Sequence, residues 1–160
     1  MAFGKTNIKS SYPLPAYNYR VTVLSDGNLN VIGFSEVTGL SVECQPVTYR
    51  HGLSFATGVN TISGMRQTVK LVLKKGLMKN GDFLQQWLIE SYSNPFSATA
   101  KRDVIIDLCD ETGLPVIRWK AISALPVKLD APNFSANSNE VAIASMELLA
   151  VDLKVDYQPS

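Results

Sequence analysis

The sequence predicts a mainly antiparallel β domain with one packed α-helix, and three observations carry that prediction. From Leu40 the residues alternate, with Leu40, Val42 and Cys44 on one side and Ser41, Glu43 and Gln45 on the other. That is the period of a strand with one face on a core and one face wet. Turn-forming clusters, Ser25-Asp26-Gly27-Asn28 and Asp110-Glu111-Thr112-Gly113, join strand-like runs at hairpin spacing. One stretch alone, Phe83 to Tyr92, sets its apolar residues on a helical stripe.

In chain order, residues 1–16 carry Pro13 and Pro15 without periodicity and read as an extended arm; residues 17–157 read as one β domain. Tyr17–Leu24 is the first strand, with Tyr17, Tyr19, Val21 and Val23 on one face. After the turn, Val31–Arg50 reads as two long strands with a bend or bulge at Gly39. His51–Gly64 is a loop longer than compact domains usually carry, holding Leu53, Phe55, Val59 and Ile62. It either folds back on its own core or packs on a neighbouring subunit, and the second reading is preferred because long loops tend to bind.

Met65–Lys75 is a strand with Val69, Leu71 and Leu73 inward and Thr68, Lys70 and Lys74 outward. Asp82 is the expected N-cap of the helix, whose stripe is Phe83, Leu84, Trp87, Leu88 and Ser91. This helix is expected to plug an open end or side of the sheet, with Phe83 and Leu88 each contributing about 1.5–3 kcal/mol on burial. Arg102–Asp110 and Pro115–Ala124 form a hairpin, with Val104, Ile106 and Leu108 inward on one strand and Ile117, Trp119 and Ala121 sharing a face on the other. Pro126 should interrupt the ladder and redirect the chain. Glu140–Tyr157 is a very long strand with a bulge, or two strands in different environments, because polar Ser145 and Glu147 interrupt the parity of Val141, Ile143 and Leu149.

A strand pair as long as Val31–Arg50 would leave bare backbone along its edges, and such edges must be covered or paired with another chain. Pairing with further copies to close a barrel is the expectation.

With 160 residues, 46% apolar and 18% charged, the chain is long enough for a real core and too apolar for disorder. Its formal net charge of +1 argues against nucleic acid as a specific ligand. No apolar run approaches the ~20 residues of a membrane-spanning helix, so membrane insertion by the monomer is not expected. The first residues lack an apolar core and cleavage site, pointing to synthesis in the cytoplasm without a signal peptide. Cys44 and Cys109 lie on strand faces taken as inward and read as buried free thiols.

Residues fit for catalysis are sparse. His51 is the single histidine and lacks a flanking nucleophile or orienting acid, so it reads as a surface histidine. Asp107, Asp110 and Glu111 cluster at a turn without calcium-loop spacing and read as solvated. The glycines form no phosphate-cradling pattern, and Trp87 and Trp119 sit on apolar stripes, hence core. The expectation is no enzyme, no cofactor and no metal.

Three segments taken together resemble the contractile tail tube family: FSEVTGL at Phe34–Leu40, LKKGL at Leu73–Leu77 leading to the Trp87 helix, and the run from Trp119 to Ala142 with its SNEVA ending. That family comprises inner tube subunits of myophages and of extracellular contractile injection systems, with a fold shared with haemolysin-coregulated protein. The likeness spans Pro15–Leu153, and Tyr12–Val23 is nearer the injection-system branch. The His51–Gly64 loop departs from the family in looking longer than a standard member's, which bears on ring-to-ring contact. The resemblance implies hexameric rings whose subunits contribute strands to one wide barrel, stacked into a tube inside a sheath, with baseplate and cap proteins as partners and cargo in the lumen. Residues 17–157 would then be the tail-tube domain of a released particle or virion tail. On that basis Ser41, Glu43, Gln45, Ser145 and Glu147 are lumen-facing candidates, and His51, Leu53, Phe55, Val59 and Ile62 are inter-subunit candidates. The alternatives are a specialised initiator or tip-proximal ring of the same particle and a monomeric ligand-binding β-barrel.

Overall fold

The computed structural model describes residues 12–79, 81 and 83–159. The expected helix cap at Asp82 and most of the expected N-terminal arm lie outside the described residues.

β1 (Tyr19–Ser25) and β2 (Asn28–Ile32) form the expected hairpin. Asp26 and Gly27 close it with φ of 48° and 77°, the successive left-handed pair whose twist matches the strands. Val21 and Val23 are buried as the alternation requires, whereas Tyr17 precedes the strand and is exposed.

The long strand pair expected over Val31–Arg50 is broken. It becomes the end of β2, a short β3 (Glu36–Thr38), an irregular crossing over residues 39–43, and β4 (Cys44–Tyr49). Gly39 is the bend foreseen, at φ 89°. A Cβ there would lie 2.0 Å from the Lys70 carbonyl oxygen, so glycine is required both by conformation and by space. Gly39→Ala is expected to destabilise the chain by about 2–3 kcal/mol, seen as a lower urea midpoint at unchanged slope.

The expected loop over His51–Gly64 is largely regular structure. A four-residue helix, α1 (Ser54–Thr57), leads into β5 (Asn60–Arg66), which pairs with β4 in a separate two-stranded sheet. Met65–Lys75 is therefore two strands, the second being β6 (Val69–Gly76), whose Val69, Leu71 and Leu73 are buried as expected. Among the described residues the single long helix is α2 (Phe83–Ser93). Leu84, Trp87 and Ser91 are buried along one stripe, and Phe83 and Leu88 pack at its margin. Trp87 Nε1 donates to the Ala100 carbonyl at 3.0 Å, and the Arg102 guanidinium lies 5.2 Å from the Trp87 ring and 2.8 Å from Glu90 Oε2. These contacts tie the helix to the start of β7 (Arg102–Cys109).

β8 (Pro115–Asp130) is one 16-residue strand. Pro126 does not end it; a register shift between Pro126 and Lys128 absorbs the missing donor as a bulge. The C-terminal stretch is two strands, β9 (Ile143–Ala150) and β10 (Asp152–Asp156), which part at Val151. In β9 the buried parity is the reverse of the one the sequence suggests, since Ala144, Met146, Leu148 and Ala150 face the core, whereas in β10 Leu153 of that expected parity is buried.

β8 joins two layers. Its first half pairs with β7 and β10, and β7 leads on through β1 to β2. Its second half pairs with β9, which leads through β6 to β3. Val21, Val23, Val104, Ile106 and Ala121 of the first layer share one core with Leu71, Leu73, Met146 and Leu148 of the second and with Leu84 and Trp87 of α2. The structure is mainly antiparallel β with one long helix.

Candidate functional site

A set of apolar side chains that this chain does not bury lies on the β4–β5 hairpin. Val47 stands opposite Ile62 and Tyr49 opposite Asn60, so Val47, Tyr49 and Ile62 share one face. Thr48 opposite Thr61 and Pro46 opposite Ser63 make the other face polar. The apolar face is bare: Val47, Tyr49 and Ile62 are 49–64% exposed. Two strands alone are marginal in water and need a third strand or a packed surface. At the tip, Leu53 and Phe55 are also exposed, as is Val59. His51 accepts the Leu53 N–H on Nδ1 at 3.1 Å and stacks obliquely on Tyr49, a part in shaping the turn. Between Gln45 and Met65 the hairpin carries Arg50 and no acidic residue.

Of the residues assigned to the wet face near Gly39, Ser41, Glu43 and Gln45 are exposed, but so are Val42 and Cys44. Leu40 alone turns toward the core. Cys44 is therefore a correction: it is an exposed thiol, because the segment beyond Thr38 leaves the body instead of lying on it. Cys109 is buried, as expected. The Glu43 carbonyl accepts the Gln67 N–H at 2.9 Å, and Arg66 bonds Asp152 Oδ1 at 2.7 Å, which fixes the hairpin's root to β10.

Ser145 and Glu147 do lie together with other polar residues. Cross-strand register puts Glu36 and Thr38 of β3, Lys70, Val72 and Lys74 of β6, Ser145, Glu147 and Leu149 of β9, and Lys128 and Asp130 of β8 on one face, opposite the core. Lys74 bonds Glu36 at 3.1 Å, Lys70 lies 3.3 Å from Glu147, and Lys128 lies 3.3 Å from Asp130. The lysines at 70 and 74 are legible as outward residues of a strand; their carboxylate partners, Glu147 on β9 and Glu36 on β3, are not.

This four-stranded layer, β3-β6-β9-β8, is open at both ends among the described residues. β3 pairs with β6 alone, and the second half of β8 pairs with β9 alone.

The other layer carries a buried carboxylate that the sequence reading placed in solvent. Asp107 is 2% exposed and sits in register between Arg20 of β1 and Arg118 of β8. Arg118 Nε and Nη2 donate to it at 2.7 and 3.2 Å, and Arg20 Nη2 at 3.3 Å. The bond to Asp107 holds the Arg118 guanidinium above its ordinary pKa. The signal was present: a hairpin closing on Asp110–Gly113 brings Asp107 and Arg118 opposite each other. Asp110 itself caps the turn, its Oδ1 accepting from the Thr112 hydroxyl and from the Thr112 and Leu114 N–H groups. The Thr112 hydroxyl bond, first among these, lowers the Asp110 pKa. Folded-state lowering means this contribution is present above the unfolded carboxylate pKa and fades as pH falls through the folded one.

An open groove lined by Leu14, Val37, Leu40, Leu108 and Trp119 runs beside β3. No group of three metal-ligating side chains occurs among the described residues, and no helix among them is long and apolar enough to cross a membrane.

The profile of the T4-like virus tail tube protein gp19 family matches residues 15–154. No curated protein matches the chain in a sequence search. Among solved structures, the chain resembles one from the PVC sheath–tube complex of an extracellular contractile injection system in its extended state. Identity there is 26%, coverage 98% of this chain and 99% of that one, and the TM-score is 0.83. It also resembles a chain in the cap that terminates the tube of the anti-feeding prophage, at 28% identity, 92% and 93% coverage and TM-score 0.79. A chain from that prophage's baseplate matches at 26% identity, 91% and 97% coverage and TM-score 0.78. A layer with two open ends, an arm bare on its apolar face and a family match across most of the chain agree: the protein belongs to the T4-like virus tail tube protein gp19 family.

Proposed function

We propose that this chain is the repeating subunit of the inner tube of a phage-tail-like contractile injection particle. Hexameric rings close by pairing the second half of β8 with β3 of the next copy, and they stack into a hollow conduit. The observation that carries the reading is the pair of open ends on one four-stranded layer. Two different edges on one subunit make a heterologous contact, which generates a ring when its rotation closes. Closure also removes the exposed backbone that would otherwise seed aggregation.

The face bearing Ser145 and Glu147 then lines the lumen, since in a closed barrel each strand alternates between wall and channel. Ser41, Glu43 and Gln45 border that passage where the chain leaves β3. The hairpin with Leu53, Phe55, Val59 and Ile62 buries its apolar face on an adjacent subunit or ring. Sheath, baseplate and cap proteins are the expected neighbours, in line with the sheath–tube, baseplate and cap particles in which similar chains sit. The particle is assembled in the bacterial cytoplasm, the subunit has no catalytic part, and the lumen holds the cargo.

A specialised ring next to the cap or baseplate is the second reading, favoured by the near-equal likeness to chains of those assemblies. Sedimentation velocity across a concentration series tests the first. Monomer passing to a defined ring and then to long stacks supports the tube subunit, a ring that never stacks supports the specialised one, and a monomer throughout overturns both.

A further inference from the structure

We infer that Lys70, Lys74 and Lys128 make the passage indifferent to the charge of what travels through it. This rests on the lumen assignment above. The three lysines are matched by Glu36, Glu147 and Asp130 on the same face, and each pair lies within 3.1–3.3 Å. The pairs are interleaved across the layer. Glu36 of β3 holds Lys74 of β6, Lys70 of β6 holds Glu147 of β9, and Lys128 of β8 stands in register opposite Glu147 while pairing with Asp130. The other register partners on this face, among them Thr38, Val72, Ile143, Ser145 and Leu149, are uncharged. Glu43 stands outside this ladder, on the segment leading from β3 into the hairpin.

Opposite charges this close cancel within a Debye length, about 8 Å at physiological salt. A wall so built presents no field of one sign to the middle of the channel. A basic surplus would hold phosphate backbones by counterion release, and an acidic surplus would concentrate cations and repel acidic cargo. On the face carried by β3, β6, β9 and the second half of β8 neither surplus is present, so along it a polypeptide of either net charge meets the same wall and nucleic acid finds no binding track. Head-to-tail closure preserves the balance at the seam, because it sets Lys128 and Asp130 of one copy beside Glu36 of the next. The lysines are the deciding residues: without them the face keeps three carboxylates per copy.

The test seats assembled rings of the full chain in a solid-state aperture and reads the potassium-to-chloride permeability ratio under a salt gradient. The native ring is expected near unity. K70Q/K74Q/K128Q is expected to raise the ratio about tenfold, the lower end of what clefts of one sign achieve. E36Q/E147Q/D130N should move it in the opposite direction by a similar factor. E36K/K74E, which keeps a pair while swapping its ends, should stay near unity. A native ring already far from unity, with both triple variants still shifting it, overturns the neutrality and leaves the lumen assignment standing. Conducting rings in which neither triple variant changes the ratio overturn the lumen assignment itself. Failure of both triple variants to form rings also overturns the inference, since it would place these pairs at an assembly contact.

Discussion

Replacing Val47, Tyr49 and Ile62 together by threonine leaves the melting temperature of the dilute monomer unchanged and abolishes assembly. The three side chains already face solvent in the single chain, so their removal costs the monomer no buried area. Threonine keeps the β preference of the hairpin, so the arm itself persists. In the proposed assembly these residues supply the apolar face that a neighbouring copy covers. Apolar anchors at the centre of an interface are worth roughly 1–2 kcal/mol or more each. Losing all three lowers the association constant by about 10²–10⁴-fold. Sedimentation velocity on the variant reads this directly. Unimpaired rings and stacks would mean that the hairpin hangs free and that the inter-subunit role belongs elsewhere.

Trp87→Ala is the second large effect, and it acts on the fold. Trp87 is fully buried, bonds the buried Ala100 carbonyl and lies under the Arg102 guanidinium, so truncation opens a cavity and strands an acceptor at once. Such changes cost about 3–5 kcal/mol, a large share of a typical total of roughly 5–15 kcal/mol. The melting temperature should fall by roughly 6–20 °C. Trp87→Phe keeps most of the packing and loses only the hydrogen bond, so its loss should be about 1–2 kcal/mol. Equal melting temperatures for Trp87→Ala and the parent would show that α2 is peripheral to the core.

These two variants separate what this chain does alone from what it does in company, and the same division explains which parts of the fold were legible. Val69, Leu71 and Leu73 on β6, and Val104 and Ile106 on β7, alternate cleanly because one chain buries one face and leaves the other wet. The sequence reads Asn60–Gly64 of β5 as loop because that strand has no buried residue in its own chain, and so shows no alternation that the period-2 test can detect. In β9, small Ala144 and Ala150 face the core while larger Ile143 and Leu149 face away, which inverts the size cue for inside and outside at those positions. The helix was legible to its stripe, since Leu84, Trp87 and Ser91 are buried within this chain.

Polar pairing was the least legible layer. Asp107, counted as part of a wet turn, is a buried carboxylate between two arginines because hairpin register, rather than local composition, decides which side chains meet. The same holds for Glu36 and Lys74, and for Lys70 and Glu147, which lie far apart in sequence. Periodicity assigned their faces; only the strand order joins them.

Electron cryomicroscopy of the purified, concentrated chain tests the central proposition most directly. The account expects hollow sixfold rings in which the backbone of Leu125–Asp130 continues into that of the neighbour's Glu36–Thr38, with Lys70, Lys74 and Glu147 on the inner wall. Particles that stay single, or rings in which those two edges lie apart, would contradict it.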